Sequence, residues 1–547
     1  MQISADLLSC REGSINRTYG IVLTDGDFGR AYLTEGWARR FLVDVFTADN
    51  VILFVGYSYE DTVLQYLTRA LPDRSERNRY ALVSHDDNEE KWHLLGIDPV
   101  VFTKEDQRDY SALNLAAKEL ADYATRKPSE WQEKIGSIAK NSPASADIED
   151  EDVIRSALKT EPHTRFFSKA AKDVEWIPWL IREGAFIPLF EIDSPGKHTI
   201  ELANWLIKSF LGESPDGVIH VLSSDRRPVK HWFWWQLARA AKTIEHPTVF
   251  GQLFDYLLQS KPWSADIHAL QFLGEQCAKL GDEERLLLVF KEMAQTHISL
   301  NKPYEFGEEC RPYRHEIETA SPHWNLDEIW KLLAAHLDTQ GEAILLVCEE
   351  IILGRRIAGD AWWRIGSHWD FDSDRRSSID PHEQDNYPQA IDVVINAARD
   401  ALAYLGKSAP AYTEHWHHSR SNSSSHLIRR LAVYAIGQLV TLGPGERIRL
   451  LVSKGLFDGI HRQESFMLLM QEFPLAGAEA KAEAIAAVLN YRDDSAEDRE
   501  KSSSQVHFDW LFSLQESAPE SNEVRLALEE VQARFADLEA SKYPYLW

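Results

Sequence analysis

Gly56, Ser58 and Asp61 close a run that begins Val51-Ile52-Leu53-Phe54-Val55, and this order of residues can present backbone to an anion. Five apolar residues without alternation predict a strand buried on both faces, as in a parallel sheet covered by helices. Gly56 permits a backbone angle, or a close ligand approach, that a side chain would block. Ser58 followed three residues later by Asp61 predicts a capping-box-like start to a helix over 62–71, with Val63, Leu64, Leu67 and Leu71 on its apolar face. A strand ending in glycine at a helix N-terminus leaves free N–H groups and the positive end of a dipole pointing outward, which suits a phosphate. Many turns of this kind bind nothing, so the stretch alone leaves a phosphate site and a plain structural turn both open.

The remaining clusters fall short of a site. His368-Trp369-Asp370-Phe371-Asp372-Ser373-Asp374 begins like a calcium loop, but Arg375 stands where the sharp-turn glycine belongs and Pro381 where the bidentate glutamate belongs. It predicts a long surface loop over 367–386. His415, His417 and His418, with Glu414 and His426 nearby, offer zinc-type donors, yet nothing in their spacing makes them converge on a tetrahedron. The polar run Ser419 to Ser425 predicts a mobile loop there. His315-Glu316 and His382-Glu383 lack the second histidine of a metalloprotease helix, and neither G-x-x-x-x-G-K-[ST] nor G-x-S-x-G occurs. No metal is expected.

The elements that must position the opening stretch come from a chain of 547 residues, too long for one ordinary core, so at least two domains are expected. Strand candidates at 20–24, 80–84 and 97–102 alternate with helices, one of them carrying Leu33, Trp37, Phe41 and Val45, which implies a parallel α/β layer over 1–126. Three or four strands make only part of a doubly wound sheet. Residues 127–152 read as a helix and an acidic linker, ending in Asp147-Ile148-Glu149-Asp150-Glu151-Asp152. From 153 to 547 amphipathic helices follow one another, many in pairs joined by Gly or Pro, the layout of a degenerate α-solenoid, possible in two subdomains. The tryptophan groups Trp232, Trp234 and Trp235, and Trp362 and Trp363, fall in this region and are expected to be inter-repeat core.

Composition bounds the partners. Fifty-nine basic against eighty-six acidic residues give a net charge of −27, which repels a phosphate backbone and argues against general nucleic-acid binding. No apolar run approaches the roughly 20 residues of a membrane span, and residues 1–6 carry no signal-peptide pattern. Cys10, Cys277, Cys310 and Cys348, scattered without C-x-x-C spacing, fit a reducing cytoplasm.

Ile21-Val22-Leu23-Thr24 with Asp27-Phe28-Gly29-Arg30-Ala31-Tyr32, the Trp37-Ala38-Arg39-Arg40-Phe41-Leu42 helix and Leu53-Phe54-Val55-Gly56-Tyr57-Ser58 with Asp61 resemble the second half of a sirtuin-like domain. The resemblance covers residues 11–125 and is to the bacterial branch that carries a long helical C-terminal region and acts in antiphage defence. It implies a Rossmann-like, sirtuin-type fold for the first domain and NAD as cofactor, with Gly56 and Ser58 against its ribose and phosphates and Ser84 near its adenosine end. The family's glycine-rich loop and Asn-x-Asp segment do not precede Ile21, and Glu12 in Arg11-Glu12-Gly13-Ser14 stands where the catalytic histidine is expected. No residue here is therefore assigned a catalytic role, and a carboxylate does not replace an imidazole base that activates a ribose hydroxyl. The expectation is a sirtuin-like protein lacking the first half of its domain, inactive on its own. Its helical array would hold a protein partner such as a phage component, or a second copy of the chain. The alternative is a non-enzymatic helical scaffold.

Overall fold

The structure, a computed structural model, describes residues 40, 51–56, 79–104, 106, 109–212, 215–261, 267–301, 314–362, 370–457, 459–493, 499–535 and 538–545. The chain divides into two compact units, Met1–Trp131 and Gln132–Trp547.

In the first unit the described elements are β1 (Ile52–Phe54), β2 (Arg79–Ser84), α1 (Glu89–Leu94), β3 (Asp98–Phe102) and α2 (Ser111–Thr125). The strands form a parallel sheet in the order β1-β2-β3, with Phe54 opposite Ala81 and Ser84 opposite Phe102. Asn88 starts α1 by accepting the N–H of Glu90 at 2.9 Å, and Trp92 on that helix donates its indole N–H to Asp87 at 3.2 Å. Gly96 then turns the chain with φ of +70°, a conformation glycine adopts without a Cβ penalty, and delivers Ile97 to a small core of Phe54, Ala81, Val83, Trp92 and Leu95. The strands expected at 80–84 and 97–102 stand as β2 and β3. The predicted strand at 20–24, the helix over 33–45 apart from the helical Arg40, and the helix over 62–71 lie outside the described residues.

The second unit is nearly all helix. It runs through α3 (Pro128–Ala139), α4 (Ile148–Ala157), α5 (Glu161–Ala170), α6 (Trp176–Arg182), α7 (Pro188–Glu191), α8 (Lys197–Phe210), α9 (Pro215–Ser223), α10 (His231–Ala241), α11 (Pro247–Gln259), α12 (Ile267–Leu280) and α13 (Glu283–Ala294). An antiparallel hairpin of β4 (Thr296–Asn301) and β5 (Arg314–Thr319), which the helical periodicity does not predict, interrupts the series. It resumes with α14 (His323–Leu333), α15 (Leu337–Trp362), α16 (Phe371–Arg375), α17 (Ala390–Ser408), α18 (Pro410–Arg420), α19 (His426–Gln438), α20 (Pro444–Lys454), α21 (Arg462–Glu472), α22 (Ala478–Leu489), α23 (Arg499–Ser517) and α24 (Asn522–Arg534). Most helix contacts join elements one or two places apart in this order, such as α12 with α13 and α14, and α19 with α17 and α21.

Three expectations change. The acidic run expected in a linker is the first turn of α4: Asp147 caps it through the N–H of Asp150 at 2.9 Å, and Glu149, Asp150 and Glu151 sit at the positive end of the helix dipole. The run 370–386 is not a surface loop throughout, because Asp370, Ser373, Arg376, Ser378 and Ile379 are buried. Of the loop expected over 415–426, the histidines and the residues as far as Arg420 belong to α18, started by Pro410 at its first turn, where a missing N–H costs nothing. The aromatic expectation holds for Trp234, buried and donating to Leu257 O at 2.9 Å, while Trp232 is half-buried and donates to Ile192 O at 2.9 Å.

Candidate functional site at the carboxyl edge of the sheet

Because β1, β2 and β3 are parallel, their carboxyl ends share one edge, the edge at which open α/β sheets receive ligands. β1 leaves the sheet through Val55 and Gly56. Gly56 has φ of +72°, and a Cβ built on it would meet no atom within 4 Å, so its backbone is open to close approach. Ser84 ends β2 half-buried, and its hydroxyl accepts the N–H of Asp86 at 3.4 Å. The register that sets Phe54 opposite Ala81 brings Gly56 and Ser84 to the same end of neighbouring strands. Ser58 and Glu12 lie outside the described residues.

Two further side chains gather at this edge. The N–H of His85 donates to Phe102 O at 3.0 Å, fixing the strand ends together. Its Nδ1 accepts the N–H of Lys104 at 3.4 Å, which leaves the proton on Nε2, 2.8 Å from Asp86. Lys104 carries its ammonium over the ring of Tyr110 at 5.3 Å. His85 and Lys104 were not singled out in the sequence, although His85 follows β2 directly and Lys104 stands two residues beyond β3. The edge thus offers a bare glycine backbone, a hydroxyl, an imidazole and a cation, groups able to hydrogen-bond ribose hydroxyls and to balance a phosphate.

Residues 11–100 match the SIR2-like domain family. The matched span contains β1, Gly56, β2, Ser84 and most of β3. A curated relative, the uncharacterized protein y4cA of Sinorhizobium fredii (strain NBRC 101917 / NGR234), is 27% identical over 170 residues, 29% of this chain. The match takes in 14% of that protein's length. The sirtuin-like character of the first unit is thereby supported, and with it a relation to NAD. The open backbone at Gly56 beside the Ser84 hydroxyl fits such a dinucleotide, since a pyrophosphate must approach main chain closely and a ribose needs a hydroxyl partner.

The other clusters are absorbed by the fold. Asp370 caps α16 and accepts the N–H of His426 at 3.0 Å, while Asp372 pairs with Arg355 at 2.5 Å. His417 is wholly buried and holds Ala432 O through Nδ1 at 2.6 Å, and burial lowers its pKa to about 4. His415 and His418 point outward from the same helix. Among the described residues no group of His, Cys, Asp and Glu could hold a metal ion, and no helix is long and apolar enough to cross a membrane.

Proposed function

We propose that the first unit is a sirtuin-like NAD site and that the chain derives from an NAD-consuming antiphage effector, with the second unit an α-solenoid that holds a protein partner. The observation that carries the reading is the coincidence of the SIR2-like match with a parallel-sheet edge where Gly56 exposes backbone beside Ser84. In this reading Gly56, with Ser58, admits the phosphates, and Ser84 faces the adenosine ribose. The helical order supports the solenoid, because most helix contacts join elements one or two places apart, with exceptions such as α5 with α8. In this reading Glu12, standing where the family's catalytic histidine is expected, leaves a chain that binds NAD without hydrolysing it.

A ligand that binds only the folded protein raises its melting point, by about 2.7 kcal/mol of stability at a hundredfold excess over Kd. NAD or ADP-ribose is expected to shift the melt of the intact chain, and Gly56→Val to abolish the shift. No shift with either ligand would overturn the NAD reading and leave the helical scaffold, which the span of the second unit, Gln132–Trp547, favours. Depletion of NAD by the purified chain would overturn the inactive reading.

A further inference from the structure

Beyond α24 the segment 538–545 forms no helix or strand, yet Pro544 and Tyr545 are buried. Side chains of α23 hold its backbone. Gln505 donates to Glu539 O at 2.8 Å, Asp509 accepts the N–H of Ser541 at 2.9 Å, and the indole of Trp510 donates to Pro544 O at 3.2 Å. Gln505 and Asp509 stand one helical turn apart and are bonded to each other at 3.0 Å, so the two are fixed as one surface. The opposite wall belongs to the segment between α16 and α17. His382 accepts the N–H of Gln384 at Nδ1, so Nε2 carries the proton that it shares with the Tyr545 hydroxyl at 2.9 Å. Glu383 accepts the Tyr543 hydroxyl and pairs with Lys542 at 3.0 Å. The Tyr545 ring fills the floor against Phe466 of α21, with centroids 5.3 Å apart.

Hydrogen bonds to a peptide's main chain give affinity, and the pockets that take its side chains give specificity. Here the pockets take two tyrosines separated by one residue, Tyr543 and Tyr545, and a carboxylate takes the lysine before them. We propose that this face of the second unit is a groove for a Lys-Tyr-x-Tyr segment that bends and turns, as Lys542 to Tyr545 do, and that residues 539–545 occupy it as an exchangeable ligand in cis. The same contacts tie the 382–386 stretch down, so release of the segment frees both walls.

Hydrogen exchange on the intact chain tests the device directly. Residues 539–545 and 382–386 are expected to exchange together and at least about tenfold faster than α21 and α23. A labelled synthetic peptide of residues 538–547 is then titrated into the wild-type chain and into K542A/Y543A, whose substitutions lie outside the buried floor. The variant is expected to bind the peptide saturably and at least about tenfold more tightly than wild type, because its own segment competes less, and a peptide with both tyrosines changed to alanine is expected not to bind. Exchange of 539–545 at the rate of α21 and α23, or equal peptide binding by variant and wild type, would overturn the proposal.

Discussion

Arg430 and Glu464, each at most 5% exposed, meet at 2.8 Å where the 373–379 segment crosses α19 and α21. Besides the carboxylate, Arg430 satisfies three carbonyls, those of Ser373, Arg376 and Ser377, at 2.6, 2.7 and 3.1 Å. Glu464 in turn accepts the N–H of Ile379 at 3.1 Å. Removing one charge of such a pair strands the other, so Glu464→Gln is expected to cost about 3–5 kcal/mol in denaturant melts. Replacing both residues by Met and Leu is expected not to restore stability, since each orphaned carbonyl costs about 1–3 kcal/mol; full recovery would show that the pair, not the carbonyls, decides. His417 has the opposite character. Its Nε2 has no partner in a buried setting, and burial, then the charges of His418 and Lys454, hold it neutral down to about pH 4. A histidine with a lower pKa folded than unfolded binds fewer protons in the native state. Its stability contribution is complete above its ordinary value of 6.5 and is lost as pH falls toward about 4, by about 3 kcal/mol in all. His417→Asn keeps a donor for Ala432 O and is expected to flatten that acid limb; an unchanged slope between pH 7 and pH 4 would refute the assignment.

Elements were readable where periodicity was strong, as along the amphipathic helices of the second unit such as α10, α11 and α13. The hairpin β4–β5 was not, because a short amphipathic strand directly after a helix carries no length signal of its own. Nor was α18, whose polar histidine run hides a helix that buries only Thr413, Trp416 and His417. Helix spacing adds a constraint that no local pattern shows. A Cβ on Gly406 of α17 would lie 2.4 Å from Gln438 O at the end of α19. Gly406→Ala is therefore expected to push the two helices apart at a cost of about 1–3 kcal/mol. Gly354 of α15 meets nothing within 4 Å, so Gly354→Ala is expected to stabilise by about 0.5–1 kcal/mol. Thermal melts of the pair should move in opposite directions; a common direction would mean that helix propensity, not contact, governs both.

At the scale of the whole molecule, the first layer of the second unit begins earlier than the acidic composition suggests. Ile135, Ile138 and Ala139 of α3 are buried, and the buried indole of Trp176 donates to Ala139 O and Asn141 O at 3.1 and 3.0 Å. A fragment of residues 127–547 is expected to melt cooperatively as a helical protein, whereas 153–547 should lose several kcal/mol by stripping Trp176 of its cover. Equal melting points would show that α3 and α4 add nothing to the core. The sequence by itself determined the helix-rich class, the parallel strands, the Gly56 turn and the sirtuin-like character of the first unit, since hydrophobic period, chirality of turns and family motifs are local properties. Only the tertiary structure decided which polar residues are spent on the fold. Asp370, Arg430, Glu464 and His417 look in sequence like surface or ligand groups and are buried partners. Likewise only the fold sets His85 and Lys104 beside Ser84, and Tyr543 and Tyr545 against His382 and Glu383. Desolvation and long-range hydrogen bonding depend on which distant segments meet, and no local pattern encodes that.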